Sequence, residues 1–348
     1  MLQSFTIPLT DPIYDHSDSI SWLDRFFLRF INNKRDLPFI YLTLKISFVI
    51  IPLATVLILK QNVPWLLYAG YLVLYIIFLG PYILMLHNTC HRKLFKKQYF
   101  FLTKYIHWFL GLFFGQTPET YFHHHIAMHH AENNLEDDLS STMKYQRDSV
   151  RAFLSYLIQF FFLGVFSLSY YFSRKKRDKA AWRVIAGETT YIILIAILCL
   201  YNLKGTLIIF IIPLFFSRFS MMAGNWAQHA FIDPKHPENI YTNSITCINT
   251  PYNKKCFNDG YHIGHHLRPA LHWTEMPNDF LMNLQKYRDN QAVIFAGLDY
   301  FQIWFLLMAK NYSYLSTKFV SLSEQPITRD EVQSFLKSRT RNISKITR

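Results

Sequence analysis

The chain alternates long apolar stretches with polar, charged segments. Apolar residues fill positions 37–59 and 65–86, which are separated by a short turn. A second pair of apolar runs, 185–201 and 206–222, is joined in the same way. Each run approaches the ~20 residues that an α-helix needs to cross a bilayer. The pattern therefore predicts an all-α integral membrane protein with four transmembrane helices in two hairpins.

Three other apolar stretches are predicted to lie on the membrane surface. Residues 99–115 contain Lys104 and His107, which favours a surface or re-entrant helix over a crossing. Residues 150–172 have spanning length, but a crossing there would divide the histidine-rich segments between two compartments. Residues 291–308 follow the last of those segments and are predicted to pack against the membrane as an apolar helix.

A single membrane domain is predicted over residues 37–310, between a polar segment on either side. The preceding segment, residues 1–36, is polar, with an amphipathic helix predicted between residues 17 and 33 at the membrane surface. Residues 311–348 are polar and charged, and they are predicted to form a loosely ordered tail.

The charge distribution predicts the orientation in the membrane. The chain of 348 residues has a formal net charge of +13. Many of its Lys and Arg residues lie in 87–183 and 225–291, whereas the two short turns between spans hold a single one, Lys204. Because basic loops stay on the cytosolic side, both histidine-rich segments are expected there as a helical cap. This distribution favours a membrane protein over a nucleic-acid-binding protein.

Cysteine usage and the N-terminal composition agree with a cytosolic face. The four cysteines form no C-x-x-C pair, so a disulfide framework is not expected and a reducing compartment fits. Residues 1–36 contain no apolar core typical of a cleaved signal peptide. Insertion is therefore expected to begin with the first span.

Nine histidines fall into four groups, called the histidine boxes below. They are His87 and His91; His125, His129 and His130; His229; and His262, His265 and His266. Imidazole is the commonest side-chain metal ligand and suits iron, zinc, copper and nickel. Nine imidazoles exceed what one ion accepts, so the number indicates two metal ions.

Helical spacing within the boxes suits metal binding. His87 and His91 are four residues apart, which places both on one helix face. His125 and His129 have the same spacing and are expected to share a face. On an ideal helix His130 is rotated by about 100° from His129, so it can turn toward a second ion.

Polar residues beside the boxes are candidates for supporting roles. Asn225, one turn before His229, is a candidate for holding a metal-bound water. Five carboxylates beside the boxes are candidates for orienting imidazole N–H groups through hydrogen bonds: Glu132, Glu136, Asp137, Asp138 and Asp259. For residues 136–138 a charged loop is an equally good interpretation.

Six further histidines lie outside the boxes. His123 and His124 fit a solvated turn better than a metal site, and an outer partner of the ligands is the alternative for both. The other four, His16, His107, His236 and His272, are expected to be structural or solvated, with His107 and His272 as further outer partners.

The boxes read HNTCH, HIAMHH, NWAQH and HIGHH, and as a set they resemble those of the integral-membrane di-iron fatty acid desaturases over residues 37–290. The resemblance implies a cone of four transmembrane helices capped by a cytosolic helical domain. It also implies two irons bound by the nine box histidines, with Asn225 acting through water. The implied reaction uses dioxygen to insert a double bond into a lipid acyl chain.

The resemblance further implies an external electron donor. The His-Pro-Gly-Gly signature of a fused cytochrome b5 is absent, because His236-Pro237 is followed by Glu238-Asn239. A separate cytochrome b5 or ferredoxin is therefore expected, and the basic cytosolic face suits the acidic surface of such donors. The membrane is the endoplasmic reticulum in a eukaryote or the plasma membrane in a bacterium.

Two alternative functions stay open at this point. The second box has three residues between His125 and His129, a spacing typical of alkane and xylene monooxygenases, so a di-iron alkyl-chain hydroxylase or a carotenoid hydroxylase or ketolase is the main alternative. The absence of an H-E-x-x-H-K first box favours desaturation. A metal transporter is a remote alternative, because transporters place polar ligands within their spans, whereas these histidines lie at span ends and beyond.

Overall fold

The computed structural model describes residues 8–14 and 19–343, and most of this part of the chain is helical. The prediction of a helical protein is therefore confirmed in its main point. The described residues also contain two short parallel strands, β1 (Ile245–Ile248) and β2 (Val293–Ala296), which the all-α prediction omits. Both strands are short apolar runs, and such runs have no clear period.

The chain contains twelve described α-helices of six or more residues. They are α1 (Trp22–Phe27), α2 (Leu37–Leu59), α3 (Trp65–His91), α4 (Val150–Arg174), α5 (Asp178–Tyr201), α6 (Ile212–Gln228), α7 (His262–Leu267), α8 (Met276–Met282), α9 (Leu284–Asp289), α10 (Tyr300–Met308), α11 (Tyr312–Lys318) and α12 (Arg329–Ser338).

Shorter helical segments connect these helices. The α-helical and 3-10 turns are Lys34–Asp36, Lys97–Tyr99, Leu102–Lys104, Gly111–Phe113, Thr120–His124, His130–Glu132, Leu203–Thr206, Ile240–Asn243, Pro251–Lys255 and Trp273–Glu275. Three segments have the wider π-helical turn, Tyr105–Leu110, His125–His129 and Leu207–Ile211. Such segments are rare and frequently occur at functional sites.

The chain divides into two compact units, which are described separately. The span unit comprises residues 19–127 and 163–219 of the described chain. The cluster unit comprises residues 8–14, 128–162 and 220–343.

Four helical stretches are long and apolar enough to cross a membrane, judged by length and composition. They are Lys34–Leu59, Trp65–His91, Val150–Arg174 and Asp178–Gln228. The first two agree with the predicted spans 37–59 and 65–86. The third is the stretch for which the sequence predicts a position on the membrane surface. Length and composition alone do not distinguish a surface helix from a membrane-crossing helix.

The fourth stretch is too long for one crossing and contains both of the remaining predicted spans. Its 51 residues would extend about 75 Å as a single helix, against a hydrocarbon core of ~30 Å. The helix is interrupted at Asn202, whose side-chain oxygen accepts from the Gly205 N–H at 2.9 Å. The Tyr191 hydroxyl donates to the Phe210 carbonyl at 3.3 Å, so residues before and after the break lie side by side.

Helices α2 and α3 carry the chain to the first histidine box. Pro38 lies in the first turn of α2, where proline is tolerated because its missing N–H has no partner in the helix. The Thr43 hydroxyl, near the start of α2, lies 3.5 Å from the Met85 sulfur, near the end of α3. Helix α3 continues beyond the predicted span and includes both His87 and His91.

Glycines in the span unit allow the loop before the second box to lie directly on a helix. Gly115 has a φ of +67°, and a Cβ there would lie 2.4 Å from the Pro213 carbonyl oxygen of α6. At Gly187 of α5, a Cβ would lie 1.9 Å from the Pro118 carbonyl oxygen. Any side chain at these positions would displace the backbone that leads to the second box.

The cluster unit has a core built on the two strands. Strands β1 and β2 pair in parallel, with Ile245 opposite Val293. Their buried side chains pack with Ala227, Ala230 and Phe231, which flank His229. The hydrophobic core therefore reaches directly to one of the box histidines.

The C-terminal residues belong to this core, so the prediction of a loosely ordered tail over 311–348 was wrong for the residues described. Helix α12 buries Val332 and Leu336, and α11 buries Tyr312 and Leu315 against the same core. Two apolar residues spaced four apart give α12 one apolar face on an otherwise polar helix. The overall polarity of the segment conceals this short pattern.

The N-terminal segment is partly helical. Helix α1 is shorter than the predicted 17–33 helix, and it begins with a capping box between Ser21 and Asp24. Its Trp22 is 77% exposed, as expected of a helix at a membrane surface. Farther upstream, the buried Asp11 accepts from the Tyr261 hydroxyl at 2.6 Å within the cluster unit.

We expect Leu336→Ala to destabilise the protein by about 2–5 kcal/mol, because it empties a fully buried leucine site. The measurement is the thermal unfolding midpoint of the purified protein in detergent. Ser334→Ala, at an exposed position on the same helix, is the control and should leave the midpoint unchanged. Equal midpoints for both variants would instead favour a loosely attached tail.

Candidate metal centre

Four histidines converge in the interior of the cluster unit, and this group is called the four-histidine cluster. His129 ends a π-helical segment, His229 follows α6, and His262 and His266 lie on α7. All four are buried, with 9% or less of each residue exposed. Four imidazoles removed from water are rare outside metal sites, because each buried polar nitrogen needs a partner.

The nitrogen atoms of this cluster lie close enough to share one ion. One nitrogen from each histidine lies within 4.8 Å of the others. The Nε2 atom of His262 lies 3.3 Å from Nε2 of His229 and 3.0 Å from Nε2 of His266. Zinc–nitrogen bonds of ~2.0–2.1 Å around a single ion give ligand separations of this order.

Local helical geometry explains how the third box reaches the cluster. His262 and His266 are four residues apart on α7, so both project from one face. Their ring centroids are 4.5 Å apart. The His229 N–H donates to the Asn225 carbonyl, which extends the helical turn past the end of α6.

A buried carboxylate orients His129. The Asp138 Oδ2 atom lies 2.7 Å from Nδ1 of His129, and the Asp138 side chain is fully buried. Because a carboxylate only accepts, Nδ1 of His129 is the donor, which leaves Nε2 for the cluster. Asp138 also accepts from the Asn134 and Ser140 backbone N–H groups, each at 2.8 Å. Its position is therefore fixed before any ion binds.

A second set of hydrogen bonds orients His229. Its Nδ1 donates to the Asn243 carbonyl at 2.8 Å, which directs Nε2 into the cluster. The Asn243 side chain accepts from the Asn134 amide at 2.7 Å. The Thr142 hydroxyl donates to the His229 carbonyl at 2.6 Å. Asn134 thus belongs to the networks of both His129 and His229.

Burial keeps these imidazoles uncharged. It lowers the pKa of His229 to about 4, with the neighbouring His129 acting in the same direction. The pKa of His266 is lowered well below its usual range by burial and then by His262 and the other histidines around it. Both rings are therefore neutral at physiological pH, which is the form that binds metal.

The span unit brings together three other box histidines. The Nε2 atoms of His91 and His125 lie 3.2 Å apart, and the rings of His87 and His125 have centroids 4.5 Å apart. His87 and His91 share a face of α3, as predicted from their spacing. Between them, the Thr89 hydroxyl lies 2.9 Å from Nε2 of the half-buried His107.

The last two box histidines form a pair in the cluster unit. The Nε2 atoms of His130 and His265 lie 3.0 Å apart, and both rings are partly exposed. The rings of His130 and His266 are stacked, with centroids 4.8 Å apart. All nine box histidines therefore lie beside at least one other box histidine.

The second box contributes to both groups of histidines. His125 lies with His87 and His91 in the span unit, and His129 lies in the four-histidine cluster. The segment His125–His129 is a π-helical turn, in which hydrogen bonds connect residues five apart, whereas the predicted shared face assumes an ideal α-helix.

The residues predicted to support the ligands differ in what they contact. Asn225 donates to the Ser140 carbonyl at 2.9 Å and to the Tyr156 hydroxyl at 2.8 Å. This fixes the orientation of its amide, while the water-mediated metal contact stays a prediction. Asp259 accepts from the Tyr252 hydroxyl at 2.7 Å.

Among the carboxylates singled out from the sequence, Asp138 contacts a box histidine. Glu136 is exposed and Asp137 is half-buried, whereas the neighbouring Asp138 is buried on His129. Three acidic residues in a row offered no means of choosing among them. Asn243 lies in no motif, and its shortest contact with His229 is made by a backbone carbonyl, which any residue carries.

The remaining histidines are mostly structural. His123 was expected in a solvated turn, but it is buried, with Nδ1 2.8 Å from the Glu119 carbonyl. His124 is half-buried and ends the short helix before the second box. His272 is buried and caps the helical turn Trp273–Glu275. His236 is exposed, and His16 lies outside the described residues.

The donor set fits a first-row transition metal. The four buried ligand candidates are all imidazoles, which suit iron, copper, nickel and zinc better than calcium or magnesium. Two of them donate their outer N–H to a carboxylate or a backbone carbonyl, as metal-binding histidines commonly do. The cluster is therefore compatible with iron.

Comparison with models of known families finds a match. The family model described as fatty acid desaturase matches residues 64–298, about two thirds of the 348-residue chain. The matched region contains all nine box histidines. The comparisons with curated proteins and with solved structures return no match.

We expect Asp138→Asn to weaken metal binding by about 10- to 100-fold, because the substitution removes the charge that orients His129 and raises its basicity. The measurement is a titration of the metal-free protein with Fe²⁺ under anaerobic conditions. Glu136→Gln, two residues earlier and exposed, is the matched control. If both variants bind Fe²⁺ as tightly as the original chain, Asp138 does not support the metal centre.

Proposed function

The chain belongs to the fatty acid desaturase family, and we propose that it is a membrane-bound desaturase that uses dioxygen to insert a double bond into a lipid acyl chain. The four-histidine cluster is the observation that carries this proposal within the family. It supplies a buried, preoriented set of imidazoles, and the chain also has helices suited to a membrane.

We propose that the centre holds two irons and that the nine box histidines are their ligands. His129, His229, His262 and His266 bind one iron, and their mutual distances support this assignment. The other five box histidines complete the proposed set of nine ligands, and each of them contacts another box histidine within its own unit. When bound, the irons supply the redox chemistry with dioxygen that removal of hydrogen from an unactivated methylene requires, which zinc does not provide.

The residues of the chain itself hold and orient the centre. Asp138 and the Asn243 carbonyl fix the ring orientations of His129 and His229, so little reorganisation accompanies metal binding. Trp226, on the helix that precedes His229, is fully buried among aromatic side chains and excludes water from that side. Asn225, with its amide fixed by Ser140 and Tyr156, is proposed to contact a metal-bound water.

We propose that four helices cross the membrane in two hairpins and that a helical cap faces the cytosol. The contact between Thr43 and Met85 supports the first hairpin, and the break at Asn202 with the Tyr191–Phe210 contact supports the second. Helix α4 is assigned to the membrane surface, because a fifth crossing would separate the histidine boxes. The membrane is that of the endoplasmic reticulum in a eukaryote or the plasma membrane in a bacterium.

Electrons are proposed to come from a separate cytochrome b5 or ferredoxin. The formal charge of +13 and the basic residues of the segments assigned to the cytosol favour an acidic donor protein. Electrostatic steering of this kind raises the association rate, and added salt weakens it.

Expression in a host that lacks its own desaturases tests the proposed reaction. We expect new unsaturated acyl chains in the host lipids, measured by mass spectrometry after chain cleavage at the double bond. Hydroxylated chains without new double bonds would assign the centre to the alkyl-chain hydroxylases instead. Active protein with two zinc ions and no iron would contradict both reactions.

We expect His265→Ala to abolish the new double bonds, because it removes a ligand from the centre. The readout is the unsaturated fraction of host lipids, normalised to the amount of membrane-inserted protein. His236→Ala, at an exposed histidine that pairs only weakly with Glu238 at 3.9 Å, is the matched control and should retain activity. Unsaturation by His265→Ala at the original level would remove that residue from the proposed centre.

A further inference from the structure

A fully buried arginine lies in the cluster unit close to the four-histidine cluster. The side chain of Arg147 has no exposed surface. All partners of its guanidinium group within the described residues are backbone carbonyl oxygens. They are those of Ala230, Thr142, Met143, Tyr145, Arg339 and Arg341, at 2.7–3.3 Å. Burial lowers the pKa of Arg147 to about 9, so the group keeps its charge at neutral pH.

These carbonyls come from three segments that are distant in sequence. The first, residues 142–145, follows the loop that carries Asp138. The second is Ala230, the residue after His229. The third, residues 339–341, follows α12 near the C-terminal end of the described chain. One planar guanidinium with five N–H donors is suited to hold several carbonyls in a fixed arrangement.

The first two segments connect directly to metal-ligand candidates. Thr142 donates through its hydroxyl to the His229 carbonyl at 2.6 Å, and its N–H donates to the Asn134 side chain at 2.9 Å. Asn134 in turn donates its N–H to Asp138, the partner of His129. Arg147 is therefore two hydrogen bonds from His229 and four from His129.

The third segment is attached to the same site by further bonds. The Arg147 N–H donates to the Thr340 carbonyl at 2.8 Å, and the Ile232 N–H donates to the Arg339 carbonyl at 3.0 Å. The Arg339 side chain donates to Asp233 at 3.2 Å. The C-terminal segment 339–341 is thus held against the residues that immediately follow His229.

We propose that Arg147 is a positioning residue for the metal centre and that, through it, the C-terminal segment 339–341 is coupled to the four-histidine cluster. This inference rests on the proposed metal centre, but not on the reaction that the centre performs. Coupling between two sites is reciprocal, so an ion that stabilises His129 and His229 also stabilises the backbone bonds around Arg147.

Hydrogen exchange of the unaltered protein tests the coupling without any substitution. The detergent-solubilised chain is compared with Fe²⁺ bound and after chelation, by mass spectrometry of its peptides. We expect removal of Fe²⁺ to accelerate exchange about fivefold or more at the amides of Arg147, Ile232 and Ile343. The Ile343 amide is included because it donates to the Met143 carbonyl at 3.0 Å. Unchanged exchange at all three amides would overturn the proposal.

A substitution provides the reciprocal measurement. Arg147→Met removes the donors while keeping an unbranched side chain, and we expect Fe²⁺ binding to weaken by ~10-fold, as for other residues that support ligands. Arg329→Met removes the same charge from the exposed start of α12 and should bind Fe²⁺ as the original chain does. Equal affinity in both variants contradicts the proposal.

Three further outcomes each decide a different part of the proposal. If Arg147→Met does not fold, the hydrogen-exchange experiment alone tests the coupling. Arg147→Lys should then restore folding but only part of the Fe²⁺ affinity, because the ammonium group has three N–H donors on a single nitrogen. If the original chain binds no Fe²⁺, the proposed metal centre fails and this inference fails with it. If the chain binds Fe²⁺ with the expected coupling but forms no double bond, only the proposed reaction fails.

Discussion

The close approach of four buried imidazoles is the constraint on which the cluster unit depends. Nitrogen lone pairs directed at one another repel unless a proton or a cation lies between them. Burial disfavours the protonated form, as the lowered pKa values of His229 and His266 indicate. A metal cation resolves this conflict, since it accepts all the lone pairs at once. The surrounding protein must therefore hold the rings in place even before the cation arrives.

Hydrogen-bond acceptors around the cluster hold two of these rings. Asp138 and the Asn243 carbonyl receive the outer N–H groups of His129 and His229, and Asn134 links the two partners. Loops rather than long helices supply these groups, so the precision of the site depends on their hydrogen bonds. Buried polar networks of this kind stabilise one arrangement only when every member is satisfied. Loops that are normally mobile are thereby made part of a rigid site.

Much of the helical framework follows from the sequence, because long apolar runs and a spacing of four are strong local signals. The bounds of α2 coincide with the predicted span 37–59, and the pairing of His262 with His266 follows from their spacing. The π-helical turn at His125–His129 was not predictable, because its wider turn depends on tertiary contacts rather than on residue type. The selection of Asp138 among three consecutive acidic residues depends on burial, which local sequence does not encode.

The distances in sequence between the parts of the cluster have a consequence for biosynthesis. The ribosome delivers His129 early, His229 and the third box much later, and the carbonyls of Arg339 and Arg341 later still. The Tyr261 partner of Asp11 also emerges long after Asp11 itself. Membrane insertion of the spans must therefore proceed without the finished cluster. Under the proposed function, the metal ions are therefore bound late, and their supply during synthesis does not guide the folding of the first half of the chain.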